Sequence, residues 1–275
     1  MKITLRKRDS VISAVLFVFN LYGEARNSHS IRLGSLLRMM QQFDKSEASI
    51  RTGLSRMTKS GILTSRKESG DTIYELTQEG MENLDQWNRG LARFFFRHAQ
   101  RQKAWDGAWH LLSILGFNKS DYDNQDVVDE LNECGLRELN GNIWATPYPI
   151  DETALALLNM RGFRYLEIHG SIQPSKDPGG LIEDAFNLSD VRQLYSAFFI
   201  KADEVSNSLS TLHGGAFLPV LFELGWDFYD AATSDPALPK ALLPEWEGDK
   251  AAEKMKTIRP LLVREITGYF EENDL

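Results

Sequence analysis

The sequence predicts an α+β protein, on three observations. Amphipathic helical patterns up to Gly61 give way to two β-prone runs around a Gly-containing turn. Between Trp109 and Ile172 short strand patterns alternate with helical ones, and from about Gly180 the chain reads as helical again. Together these give an N-terminal winged helix-turn-helix, a central ferredoxin-like βαββαβ domain and a C-terminal, mainly helical domain. The expected division is 1–80, a linking helix over 81–104, 105–175 and 176–275. A length of 275 residues, 42% hydrophobic and 25% charged, suits two or three small soluble domains.

Ser10 is placed to cap a first helix through Val11, Ile12, Val15, Leu16, Val18, Phe19 and Tyr22, apolar on most sides and so central to its domain. Gly23 is expected to stop it. Ile31-Arg32-Leu33 reads as a short strand, and a second helix begins near Gly34-Ser35 with Leu36, Leu37 and Met40 on one side. Ser46 and Gly61 then bracket a third helix. At about 100° per residue, Ile50, Leu54 and Met57 form one stripe, while Arg51, Thr52, Ser55, Arg56 and Lys59 fall opposite. No acid follows Glu47 in this helix, so its outer face offers guanidinium, hydroxyl and ammonium donors of the kind that read a DNA major groove. The competing reading of these residues alone is a solvated basic face. Ile62–Lys67 and Thr72–Thr77, separated by Glu68-Ser69-Gly70-Asp71, form a hairpin, and three helices followed by a hairpin make a winged helix-turn-helix.

Charge is distributed unevenly along the chain. The net charge of −8 divides into +5 over residues 1–80, +3 over 81–104 and −16 over 105–275. A basic first hundred residues is drawn to phosphate while the acidic remainder is kept from it, which suggests separate binding and regulatory parts. The linking helix carries Leu84, Trp87, Leu91 and Phe94 at spacings of three, four and three, a seam expected to pack within the chain.

In the central region Trp109–Leu115 reads as a strand, Asp126–Cys134 as a helix, Leu136–Leu139 and Ile143–Thr146 as a hairpin closed by Asn140-Gly141, Asp151–Met160 as a helix and Phe163–Ile172 as a strand. Asp126, Asp129, Glu130 and Glu133 lie at i, i+3, i+4 and i+7 on one helix face, where they can be read as a divalent-cation cluster or, as the commoner case, a solvated acidic face. The last part is broken by Asp235-Pro236-Ala237-Leu238-Pro239 and Leu243-Pro244-Glu245, with a final helix expected from about Thr257 to Glu271.

Several classes find no support in the sequence. It has no apolar run near the roughly 18 residues needed for a membrane span and no secretory start, so a cytoplasmic protein is expected. Its single cysteine, Cys134, excludes an internal disulfide and reads as a buried structural thiol. No Gly-x-Ser-x-Gly elbow, Gly-x-x-x-x-Gly-Lys loop or His-Glu-x-x-His pair is present. We therefore expect no catalytic residues and no metal.

Leu33-Gly34-Ser35-Leu36-Leu37, the block Ser46–Met57, Ser60-Gly61-Ile62-Leu63, Tyr74-Glu75-Leu76-Thr77 and Gly80 resemble the winged-helix domain of the PaaX family, bacterial repressors of phenylacetic acid degradation. The resemblance resumes at Trp105-Asp106-Gly107-Ala108-Trp109, Asn187–Tyr195 and Leu242-Leu243-Pro244-Glu245-Trp246, and so runs over nearly the whole chain. Two departures stand out: Glu68 and Asp71 flank the hairpin turn where the family carries more arginine, and Asp121–Asp126 is acidic where the family tends to be basic. The resemblance supports the ferredoxin-like assignment through a likeness to small CRISPR-associated nucleases of that fold, which keeps a metal-dependent nuclease as the alternative.

The expectation is therefore a dimeric, DNA-binding repressor of an aromatic-acid catabolic operon that binds a double-stranded operator. Arg51 and Arg56 are expected to read bases, Ser49, Thr52 and Ser55 to supply adaptable hydroxyls, and Lys59, Arg66 and Lys67 to meet phosphate. The resemblance implies no cofactor but an effector, phenylacetyl-CoA or a related aryl-CoA thioester. Arg161, Arg164, Arg192 and Lys201 are the candidate cations for its phosphates.

Overall fold

The computed structural model describes residues 8–172 and 178–275. Its first helix, α1 (Val11–Arg26), starts where Ser10 Oγ accepts the Ser13 N–H at 3.0 Å. Gly23 does not stop it. The helix closes at Asn27, whose backbone is left-handed (φ 51) and whose N–H donates to the Gly23 carbonyl at 2.9 Å. Asparagine tolerates that cap geometry, and Gly23 serves to leave space for His29, whose ring lies 2.7 Å from where a Cβ would be.

A strand β1 (Ser30–Arg32) leads into α2 (Leu33–Gln41), then α3 (Glu47–Lys59), β2 (Leu63–Glu68) and β3 (Asp71–Leu76). The strands make an antiparallel sheet in the order β1-β3-β2. Helices α1, α2 and α3 pack on one another, with Val15, Leu16, Phe19, Leu36, Met39, Met40, Ile50, Leu54 and Met57 all buried. Burying this many apolar side chains is the main drive for the bundle. Next comes α4 (Gln78–Arg101), whose first turn is tied to the preceding turn by Thr77: its Oγ1 accepts the Gly80 N–H at 3.1 Å and donates to the Gly61 carbonyl, with the Ile62 carbonyl 3.1 Å away.

The described part of Met1–Arg89, with Ile200–Asp227 and Lys254–Leu275, forms one compact unit. There Phe222 meets Phe17 and Phe43 edge-on at 5.1 and 5.5 Å, and Trp87 meets Trp226 at 4.6 Å. The expected packing of the Leu84–Trp87 stretch within the chain is thus observed.

The described part of Gly90–Phe199, with Phe228–Glu253, forms a second unit. It contains β4 (Trp109–Leu115), α5 (Gln125–Glu133), β5 (Arg137–Asn140), β6 (Ile143–Thr146), α6 (Glu152–Met160) and β7 (Arg164–Gly170). The strands run β5-β6-β4-β7 with every pairing antiparallel. Leu112, Ile114, Val127, Leu131, Leu136, Trp144 and Leu158 share one buried core, which also takes up Cys134. The rest of the described chain is helical: α7 (Pro178–Ala185), α8 (Leu188–Ser208), α9 (Phe217–Ser234) and α10 (Glu247–Glu272). The last helix begins ten residues before the expected Thr257 and carries Pro260 inside it. Glu247 and Asp249 in its first turn favour that earlier start, because carboxylates stabilise the positive end of a helix.

Burial in the second unit is not all apolar. Arg93, Arg97 and Arg101 stand four residues apart on α4. Arg93 reaches Glu130 at 2.5 Å, Glu133 at 3.3 Å and Asp151 at 3.7 Å. Arg97 donates to the carbonyls of Glu133 and Asp235 at 2.8 and 3.3 Å, and Arg101 chelates Asp249 at 2.9 and 2.7 Å. Asp235, fully buried, accepts from Tyr195 Oη at 2.6 Å, Trp246 Nε1 at 2.8 Å and the Ala237 N–H at 2.6 Å. Desolvation, with Arg97 nearby, lowers the Arg137 guanidinium to about 10.

Candidate nucleic-acid interface

Helix α3 holds the predicted reading residues. Ser46 Oγ accepts the Ser49 N–H at 3.2 Å at its start, and the Ser60 N–H donates to the Arg56 carbonyl at 2.9 Å at its end. Gly61, at φ +82, then turns the chain into the hairpin. Ile50, Gly53, Leu54 and Met57 face inward, whereas Ser49, Arg51, Thr52, Ser55, Arg56 and Lys59 are all exposed. The period read from the sequence therefore holds residue by residue. At Gly53 a Cβ would come within 2.7 Å of Val11 Cγ1, so a glycine lets α1 approach the inner face of α3 closely.

The outward side chains differ in how far they are committed. Arg51 is held by Glu47, whose Oε1 lies 2.7 Å from both Nε and Nη2. The Thr52 hydroxyl donates to the Ala48 carbonyl at 2.8 Å, leaving its lone pairs to accept. Arg56 and Lys59 have no charged or hydrogen-bonded side-chain partner among the described residues. In the hairpin, Arg66 pairs with Glu68 and lies 4.0 Å from Glu75, while Lys67 is exposed. The turn itself is made by Ser69 and Gly70, both at positive φ (52 and 90), the geometry that suits a two-residue hairpin. Cross-strand register puts Arg32 and Arg66 on either side of Ile73, a neighbourhood that a residue-by-residue reading of the sequence does not reveal. The Glu47–Arg51 pair goes beyond the face read from the sequence, although the spacing of four residues is the signal for a helical ion pair.

The acidic face of α5 is engaged by arginines. Arg93 holds Glu130 and Glu133, and Arg161 holds Asp126 at 3.1 Å. Among the described residues no group of three or more His, Cys, Asp or Glu side chains is arranged to hold a metal ion. Of the four candidate effector cations, Arg161 is thus paired. Arg192 reaches Glu183 at 2.6 Å and lies 5.2 Å from the Trp246 ring centroid, and Lys201 lies 3.3 Å from Glu204. Arg164 is exposed on β7 without a carboxylate partner among the described residues. No helix among the described residues is long and apolar enough to cross a membrane.

Residues 13–80 match the family model described as PaaX-like protein. Over 257 residues the chain is 24% identical to the Transcriptional repressor PaaX of Escherichia coli (strain K12), covering 88% of this chain and 78% of that protein. The solved structure of the Uncharacterized protein Rv0674 from Mycobacterium tuberculosis has a similar fold, with a TM-score of 0.63 at 18% identity, over 94% of this chain and 98% of that one. The sequence matches support a non-enzymatic regulator. Residues 13–80 are thus similar to PaaX-like proteins, and the rest of the chain to one repressor at low identity.

Proposed function

We propose that the chain is a transcriptional repressor of a phenylacetate-type catabolic operon, acting in the cytoplasm. Its first 80 residues serve as a winged helix-turn-helix, with α3 in the major groove and the β2–β3 hairpin as the wing. The observation that carries this reading is the outward face of α3, where Arg51, Arg56 and Lys59 stand with Ser49, Thr52 and Ser55 on a helix capped at both ends. Arg56 and Arg51 read base edges, Lys59 and Lys67 meet phosphate, and Arg66 does so after leaving Glu68. The 81–104 helix links this reader to the rest. The strand order β5-β6-β4-β7 supports a ferredoxin-like reading of residues 105–175, and residues 176–275 make the helical regulatory part. Two copies of the chain would present two such helices to a two-half-site operator about one DNA turn apart.

Release by an aryl-CoA thioester such as phenylacetyl-CoA requires that the ligand bind the DNA-incompetent arrangement more tightly than the competent one. Arg164 is the candidate cation already open to a phosphate. Arg161, Arg192 and Lys201 would first have to exchange their carboxylates for one.

The test starts by selecting a duplex from a randomised library with the full chain. Binding is then measured at fixed salt on that duplex and on a scrambled one. Arg56→Ala should weaken the selected duplex by about 1–3 kcal/mol more than the scrambled one, because a bidentate base contact is lost. Equal losses on both would make Arg56 a phosphate anchor. Phenylacetyl-CoA, but not free coenzyme A, should release the selected duplex; no effect from a panel of acyl-CoA thioesters would remove the effector from this reading.

A further inference from the structure

Glu47 is the one acid in α3, and it sits on the first turn beside the side chains that face outward. Its Oε1 accepts from Arg51 Nε at 2.7 Å and lies 2.7 Å from Nη2, and both side chains are 52% exposed. A guanidinium carries five N–H donors in one plane. A single oxygen on the Nε/Nη2 edge occupies Nε–H and one Nη2–H. The end-on fork, formed by Nη1 and the remaining Nη2–H, is left open, and a fork of this kind can take O6 and N7 of a guanine together.

We propose that Glu47 is a positioning residue that presents the free fork of Arg51 to a base and thereby sets sequence specificity. The proposal rests on α3 being the DNA-reading helix. In water the pair is weak, because both charges are solvated and screened. Against a base edge, with water excluded, the same carboxylate orients and strengthens the guanidinium's remaining donors. On random DNA, where binding is to phosphate, Glu47 acts only as a negative charge that repels. Its removal should therefore act in opposite directions on the two kinds of duplex, which a merely quenching carboxylate cannot do.

The experiment uses the full chain and compares a duplex selected by the wild-type protein with a scrambled duplex of equal length, by fluorescence anisotropy at fixed salt. Glu47→Ala should tighten binding to the scrambled duplex while lowering the selected-to-scrambled affinity ratio about tenfold, the scale of one base-specific contact. Glu47→Gln, which keeps an acceptor oxygen in place, should retain more of that ratio. In an Arg51→Ala background, Glu47→Ala should leave the ratio unchanged. Matching thermal melts show that each variant folds. Equal tightening on both duplexes, or the same change of ratio with Arg51 absent, overturns the proposal. If the wild-type chain selects no duplex at all, the DNA-reading assignment itself fails; a wild-type preference untouched by Glu47→Ala removes only the role of Glu47.

Discussion

Replacing Gly80 by alanine sets helix propensity against packing. In an exposed helix interior the change gains about 1 kcal/mol. Gly80, however, is buried in the first turn of α4, where a Cβ would meet the Ile62 carbonyl oxygen at 2.3 Å and Leu76 Cδ2 at 2.9 Å. The leucine can rotate away. The carbonyl cannot, because it accepts the Thr77 N–H at 3.1 Å while the Thr77 hydroxyl is held to the neighbouring Gly61 carbonyl. Relief requires the start of α4 to move off the hairpin, weakening the Thr77 N–H bond to Ile62. Overpacking costs about 1–3 kcal/mol and a weakened hydrogen bond adds about 1 kcal/mol. Set against the propensity gain, Gly80→Ala should destabilise the hairpin by about 2 kcal/mol, roughly thirtyfold in its opening equilibrium. With two compact units, a single global unfolding energy is not well defined, so the readout must be local. Amide hydrogen exchange over β2 and β3, followed by mass spectrometry, should speed up by about that factor. Protection equal to or above that of the wild type would refute the argument, since helix propensity would then have won.

Two further outcomes follow from the second unit. Arg101→Met removes a fully buried guanidinium and leaves the Leu238 carbonyl and Asp249 without it. Breaking a buried pair from one side costs about 3–5 kcal/mol, and the lower end is expected because Asp249 is 26% exposed and keeps the Gln102 amide at 3.2 Å. Amide hydrogen exchange over α4 from Gly90 on and over the start of α10 should show that loss, with much of it recovered in Arg101→Met/Asp249→Leu; a loss under about 1 kcal/mol would refute the role given to the pair. Burial pushes the Cys134 thiol up to about 12 despite the nearby Arg93. At neutral pH the native chain should therefore react with a thiol reagent slower than a cysteine peptide by on the order of a hundredfold or more, and rapid native labelling would contradict that burial.

What the sequence reveals about this molecule depends on how local the cause is. The outward face of α3 was legible because cap, period and stop all lie within sixteen residues, from Ser46 to Gly61. The Asn140-Gly141 and Ser69-Gly70 turns were legible for the same reason, and each marks a hairpin in the structure. The extension of α1 past Gly23 was not, because a neighbouring side chain, His29, rather than a turn explains that glycine. The largest correction concerns charge. The +3 of residues 81–104 was counted as attraction for phosphate, yet Arg93, Arg97 and Arg101 turn into the second unit and are taken up by Glu130, Glu133, Asp151, Asp249 and backbone carbonyls. Their four-residue spacing was visible, but their acidic partners lie some 30 to 150 residues away and only the fold brings them together.

Within the first 80 residues the same discount applies to Arg8, held by Glu223 and Asp227 from outside that stretch, whereas the Arg51–Glu47 and Arg66–Glu68 pairs are already counted in its net charge. The pairs matter instead for where the charge sits: they take Arg51 and Arg66 out of the freely exposed cations. The exposed, uncommitted cations of α3 and the hairpin are Arg56, Lys59 and Lys67. On those two elements, general phosphate attraction would rest on these three side chains. On the proposed reading, discrimination between duplexes comes from geometry at base edges, and the Glu47 carboxylate subtracts from general attraction while orienting the Arg51 guanidinium.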